Sequence, residues 1–315
     1  YLINLIVSEY ISSKVNYFND SSSFKFEKKS LFKKIDDKNI ILNLIDLLSK
    51  DNPFDFNIQL NLKYLDSIKN SYDSSKYYDY KNHLLSIRDK LKRDESELHL
   101  NYLKTYCIDK CYNCEDREEF SEEYIKLEFL ILKEKLFLNS KTHYLQNNSF
   151  RNLLIFLVNQ KFPEKIKQLA QYSKYLQPEY RNDFKYFALA SENYVKRKLS
   201  DALKYLKKVT IFDKQIELDV DLLSLKIFFD QKNILKGINK LHAVRRTLNN
   251  NEKIHEDRKN RYRLFLNNIE RLFKILEKDD EAMLVVAFKE ICKMNNLVFS
   301  EWFQDKYEEL LRVNS

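Results

Sequence analysis

Apolar side chains recur three and four positions apart along most of this chain, the spacing that lays one apolar stripe down an α-helix. Asn39–Leu48 carries such a stripe in Ile40, Ile41, Leu44, Ile45, Leu47 and Leu48. Leu60–Lys69 reads as a second helix, and Tyr77–Leu91 as a third, with Tyr80, Leu84, Ile87 and Leu91 in step. Polar runs at Asn19–Ser23 and Ser71–Ser75 read as loops between them. From Ser96 the pattern grows regular. It predicts helices over Glu97–Cys111, Tyr124–Leu138, Phe150–Gln160, Pro163–Tyr175, Glu179–Lys196, Ser200–Val209, Leu218–Phe229, Ile234–Leu248, Arg258–Leu276, Glu281–Met294 and Ser300–Leu311. Ser121, followed by Glu122 and Glu123, has the makings of an N-cap, because a hydroxyl and nearby acids satisfy the unpaired N–H groups of a first turn. Pro163 suits a first helical position, where its missing N–H costs nothing.

The helices repeat. A shift of 35 residues brings Leu199 onto Ile234, Ala202 onto Gly237, Leu203 onto Ile238, Leu206 onto Leu241 and Val209 onto Val244. The small position has a steric reading: a short side chain where two helices of a hairpin cross closely. A fainter upstream copy, shifted by 37, sets Phe162, Ile166, Leu169 and Tyr172 on Leu199, Leu203, Leu206 and Val209, with Lys165 at the small position. A downstream copy, shifted by 50, runs through Leu284, Ala287, Phe288, Ile291 and Met294, and requires a longer first helix. A helix–turn–helix period of about 35 residues is the signature of a solenoid.

Composition sharpens the fold class. One glycine and three prolines in 315 residues leave too little turn chemistry for a sheet-rich fold, which needs glycine at hairpins, bulges and phosphate loops. Helices joined by short polar turns manage without it. The expectation is therefore all-α: residues 1–96 as an N-terminal helical extension, and residues 97–315 as an α-α superhelix of antiparallel hairpins closed by a capping helix. Trp302, Phe303 and Tyr307 would seal its C-terminal end, since a terminal repeat lacks a neighbour.

The segment Tyr186, Leu189-Ala190, Tyr194, Leu199, Asp201-Ala202-Leu203, Leu206 and Val209 resembles the tetratricopeptide consensus. It departs at Leu225, where a small residue is usual, and in lacking the proline that closes each repeat. Residues of about 98 to 312 are similar to a group of uncharacterised bacterial proteins with tetratricopeptide-like repeats. The features carrying this are Tyr106-Cys107-Ile108, Leu176-Gln177-Pro178-Glu179-Tyr180-Arg181, Ala202-Leu203, Trp302-Phe303 and Lys306. The resemblance implies a fold and no activity, and the N-terminal 95 residues lie outside it.

Chemistry is sparse. Cys107, Cys111 and Cys114 have the C-x3-C-x2-C spacing of a three-thiolate cluster site, but that chemistry needs a strand-built barrel and glycine-rich loops. A zinc site would need a fourth ligand, from His99, His143 or Cys292. The reading favoured here is a buried helical Cys107 with Cys111 and Cys114 beside a turn. His83, His99, His143, His242 and His255 fall in no hydrolase spacing. No catalytic residue, cofactor or metal is expected, and the chain is not expected to be an enzyme.

Formal net charge is +8. Between Arg181 and Asn250 lie 15 Lys or Arg against 8 Asp or Glu, near aromatic residues able to stack on bases. Two functions follow. The first is a cytoplasmic, bacterial interaction scaffold holding a protein or peptide in its concave face, with Ser191, Tyr194, Lys226 and Phe229 near the groove. The second is a nucleic-acid-binding or regulatory helical protein using the basic 181–250 region. No apolar run is long enough to cross a membrane, and the four cysteines do not make a disulfide framework.

Overall fold

The computed structural model describes residues 56–113, 117–138, 143–210, 214–250, 254–278, 281–292 and 300–314. The helix expected over Asn39–Leu48, the loop at Asn19–Ser23, and Cys114 lie outside them. Among the described residues all regular structure is helical, with no strand. The α-helices are α1 (Phe56–Lys69), α2 (Ser74–Ile87), α3 (Arg93–Asn113), α4 (Arg117–Lys133), α5 (Asn147–Asn159), α6 (Pro163–Ala170), α7 (Arg181–Val195), α8 (Leu199–Leu206), α9 (Lys214–Asp230), α10 (Ile234–Asn249), α11 (Glu256–Lys278), α12 (Glu281–Cys292) and α13 (Ser300–Asn314). The chain divides into two compact units, Tyr1–Asn139 and Ser140–Ser315. Residues 96 and 97, where the sequence suggests a boundary, lie inside α3.

In the first unit α1 packs on α2, α2 on α3 and α3 on α4. Its core is rich in tyrosine. Tyr64 stacks on Tyr102 with ring centres 4.4 Å apart, and Tyr77 stacks on Tyr106 at 4.8 Å and meets Phe120 edge-on. Buried phenols need hydrogen-bond partners. Tyr80 takes His99 Nδ1 at 2.7 Å, and Tyr77 takes the Cys107 thiol at 3.1 Å. Ser121 does not cap α4 as its sequence suggests. The helix begins a turn earlier, at Arg117, and Ser121 Oγ donates to the Arg117 carbonyl while meeting Cys111 Sγ at 3.3 Å. A mid-helix serine bonding back to residue i−4 is the ordinary alternative to a cap.

In the second unit three hairpins, α5–α6, α7–α8 and α9–α10, share one turn. Lys161, Arg197 and Lys232 each hold positive φ (57°, 59° and 53°), and they stand 36 and 35 residues apart. In each turn the residue after the left-handed one bonds its N–H back five positions: Phe162 to Leu157, Lys198 to Asn193, and Asn233 to Phe228. The left-handed residue itself bonds back three positions, to Val158, Tyr194 and Phe229. This paired pattern is the Schellman cap, a site glycine ordinarily takes because it has no Cβ to clash. Each following N-cap residue then adopts the same conformation, with φ −101°, −86° and −90° and ψ 75°, 65° and 74°. Pro163 stands at the first helical position, as its chemistry predicts.

These turns set the register of the repeat. Ala202 and Gly237 are both buried, and so are Leu206 with Leu241 and Val209 with Val244. The upstream copy is corrected. The turn at Lys161 gives a shift of 36, so buried Ile166, not exposed Lys165, stands opposite Ala202. A one-residue slip rotates a helical position by about 100°, enough to carry Lys165 into solvent. The small position also faces a different neighbour from the one expected. A Cβ built on Gly237 would overlap the ring of Phe273 on α11, so the steric demand arises between hairpins rather than within one.

Besides sequential pairing from α5 to α13, α5 touches α7, and α7 touches α9. The first helices of the hairpins therefore neighbour one another. The core continues through Leu222, Leu225 and Phe229 of α9, Leu241 and Val244 of α10, and Phe265 and Phe273 of α11 to Phe303 and Tyr307 of α13. As expected for the downstream copy, α11 is long, at 23 residues.

Candidate interaction site

Ser191 and Tyr194 lie on α7, Lys226 and Phe229 on α9, all on first helices. The structure brings them together, but not as an open groove. Their relative exposures are 1%, 7%, 3% and 5%. What covers this face, in large part, is α13. Trp302 Nε1 donates to Tyr194 Oη at 2.7 Å. Its ring meets Phe229 at 5.7 Å and Phe265 of α11 at 6.3 Å between centres. The Lys226 ammonium lies 5.1 Å from the same indole, within cation–π range. Trp302 thus lies across the first helices rather than only closing the end of the array.

An acid anticipated by no motif organises the polar half of this contact. Asp230, the last residue of α9, has a buried side chain that pairs with Lys306 of α13 at 2.7 Å and with Arg197 of the α7–α8 turn at 3.0 Å. Lys306 also reaches Glu309 at 2.6 Å. At the rim, Lys161 of the α5–α6 turn pairs with Asp305 at 2.7 Å. A signal for Asp230 was present in the sequence. An acid at a helix C-terminus opposes the helix dipole, which favours cations close by.

Burial sets the ionisation of this cluster. It pushes the Lys226 ammonium down to about 7, with Asp230 acting the other way and Lys306 adding to the fall. Burial, followed by the field of Asp230, holds the Tyr194 phenol well above its ordinary range. Next to Lys226 a cavity of about 30 Å³ is lined by Ser191, Asp219, Leu154, Phe187 and Leu222 among others. Asp219 takes a two-pronged ion pair from Arg151 of α5, with Nη2 to Oδ1 at 2.8 Å, and Arg151 Nη2 also donates to Tyr262 Oη of α11 at 3.4 Å. Four first helices, α5, α7, α9 and α11, thus contribute polar groups to one face.

Part of the basic stretch from Arg181 to Asn250 is ion-paired. Lys196 pairs with Glu164 at 2.7 Å and Glu192 at 2.8 Å, Lys204 with Asp201 at 3.0 Å, Lys240 with Asp221, and Arg245 with Glu270 at 2.5 Å. Lys208 lies over Tyr186 and Tyr205.

In the first unit Cys107 and Cys111 are both buried and hydrogen-bonded to hydroxyls, and burial pushes the Cys107 thiol up to about 12. Among the described residues no group of three His, Cys, Asp or Glu is placed to hold a metal ion. None of their helices is long and apolar enough to cross a membrane. No family model, no curated protein and no solved structure matches the chain.

Proposed function

We propose that residues 140–315 form a tetratricopeptide-like superhelix serving as a non-catalytic, cytoplasmic interaction scaffold, with the shared face of its first helices as the binding surface. One observation carries this reading: that face already receives a helix, α13, through an indole hydrogen bond, ring contacts and a buried ion pair. A surface that holds one amphipathic helix has the pockets and charges to hold another. The equal turns at Lys161, Arg197 and Lys232, and the α5–α7–α9 adjacency, support a repeat stack. The ion pairs of Lys196, Arg197, Lys204, Lys240 and Arg245 reduce the free positive charge of residues 181–250, the feature on which a phosphate-binding reading rests.

The test is an affinity pull-down from native cell extract, with and without nuclease, using the wild-type chain and Asp230→Ala. A stoichiometric protein that survives nuclease and is lost with Asp230→Ala supports the scaffold. Recovery of RNA or DNA, with proteins lost after nuclease, would replace it with the nucleic-acid reading.

A further inference from the structure

Trp302, Phe303, Lys306 and Tyr307 stand at i, i+1, i+4 and i+5, so they share one side of α13. Together they meet four elements of the unit. Trp302 bonds to Tyr194 of α7, Phe303 packs at 5.1 Å on Phe265 of α11, Lys306 pairs with Asp230 of α9, and Tyr307 meets Phe288 of α12. The rim adds Lys161 with Asp305 and Arg197 with Glu309. The two residues that engage α7 and α9 are 108 and 76 positions from their partners in sequence. An aromatic anchor in a pocket, a buried ion pair and a charged rim make up the anatomy of a helix-in-groove interface.

The fit is not ideal. Tyr307 Oη is buried without a hydrogen-bond partner among the described residues, an omission that costs free energy. Lys226 and Lys306 crowd one buried carboxylate, Asp230, which also serves Arg197. Such a contact leaves room for a competitor that makes the same anchors and satisfies these groups better.

Resting on the scaffold reading, we propose that α13 is an exchangeable resident ligand, and that the partner of this face is an amphipathic protein helix with an aromatic pair followed by lysine, as in Trp302-Phe303-x-x-Lys306. The resident helix competes at the high effective concentration that tethering confers. A partner must therefore exceed it in affinity, or act when it is released.

The probe is a fluorescent peptide with the sequence of residues 300–314. It should bind the full chain carrying Trp302→Ala and Lys306→Ala, whose resident helix is weakened, at least ten-fold more tightly than wild type. A peptide with the same two substitutions should bind neither chain, and adding Asp230→Ala to the face should remove binding. Equal binding to both chains, or to neither, overturns the proposal. A second measurement covers misfolding of the variant. In a chain with a protease site inserted between residues 294 and 295, cleavage should leave the 295–315 fragment bound but replaceable by labelled peptide, with helix content retained. A fragment that never exchanges, or whose loss unfolds the unit, makes α13 a permanent core element and overturns the proposal. A partner recovered from extract while no peptide exchanges would leave the scaffold standing and remove only this inference.

Discussion

Lys232 occupies a backbone conformation that L-residues avoid, because the Cβ approaches the following carbonyl. Replacing it with glycine should raise the stability of the second unit by about 0.5–1 kcal/mol, the relief of the clash less the extra freedom gained by the unfolded chain. Urea denaturation followed by circular dichroism reads this directly, and a loss of stability would contradict the cap assignment. Gly237 predicts the reverse. Alanine is favoured over glycine in a helix by about 1 kcal/mol, yet a Cβ here meets the buried Phe273 ring. Overpacking costs about 1–3 kcal/mol, so Gly237→Ala should be net destabilising. Phe273→Leu should recover much of the loss in the double variant relative to its own single-variant background.

Among elements, α13 is the most informative. Removing one partner of a buried ion pair costs about 3–5 kcal/mol, because the other charge is left uncompensated. Asp230→Ala leaves Lys306 with Glu309 alone and beside Lys226, and removes a partner of Arg197 as well, so it should be the costliest single change at this contact. Lys306→Met should cost less, since Arg197 still reaches Asp230. The double variant should be more stable than the two losses summed, and additivity in denaturant titrations would show that the pair is not coupled. The helices themselves were legible from periodicity, usually to within a few residues at each end, and α10 begins at Ile234 as predicted. The capping turns were not. With glycine absent, lysine and arginine take the left-handed positions, and their composition looks like any polar loop. The upstream repeat slipped by one for the same reason, because its only visible markers were apolar. That Ser191, Tyr194, Lys226 and Phe229 lie on neighbouring helices follows from the repeat. That a helix 70 or more residues downstream covers them does not, because hydrophobic spacing tells how a helix is faced and not what it faces.

For the molecule as a whole, two buried groups in separate units shape the response to pH. Burial holds His99 down at about 4, so between about 6.5 and 4 the unfolded chain binds a proton that the folded chain refuses. Its contribution is intact above that window and is lost as pH falls through it. Lys226, held at about 7, acts on the alkaline side. Below pH 7 both states carry the proton and the burial cost is constant. As pH rises toward the unfolded value near 10 the folded chain sheds it first, so stability increases. Each limb has a maximum slope of about 1.4 kcal/mol per pH unit. Melting curves from pH 4 to 9 should therefore climb on both sides of neutrality. His99→Gln should flatten the acid limb and leave the other. Lys226→Met should flatten the alkaline limb and raise stability at pH 6, and an unchanged slope would show that Lys226 keeps its charge in the folded state.

The three equivalent turns also act as a ruler. The side chains at the equivalent positions, Ile166, Ala202 and Gly237, share little beyond being buried, and hydrophobic matching alone misplaced one copy. A left-handed residue at Lys161, Arg197 and Lys232 marks the same point of each hairpin whatever its side chain. Kinship among such chains is then better sought in the rhythm of their backbone angles than in their letters. A distant relative should keep the beat of 35 or 36 residues after every recognisable residue between the beats has been replaced.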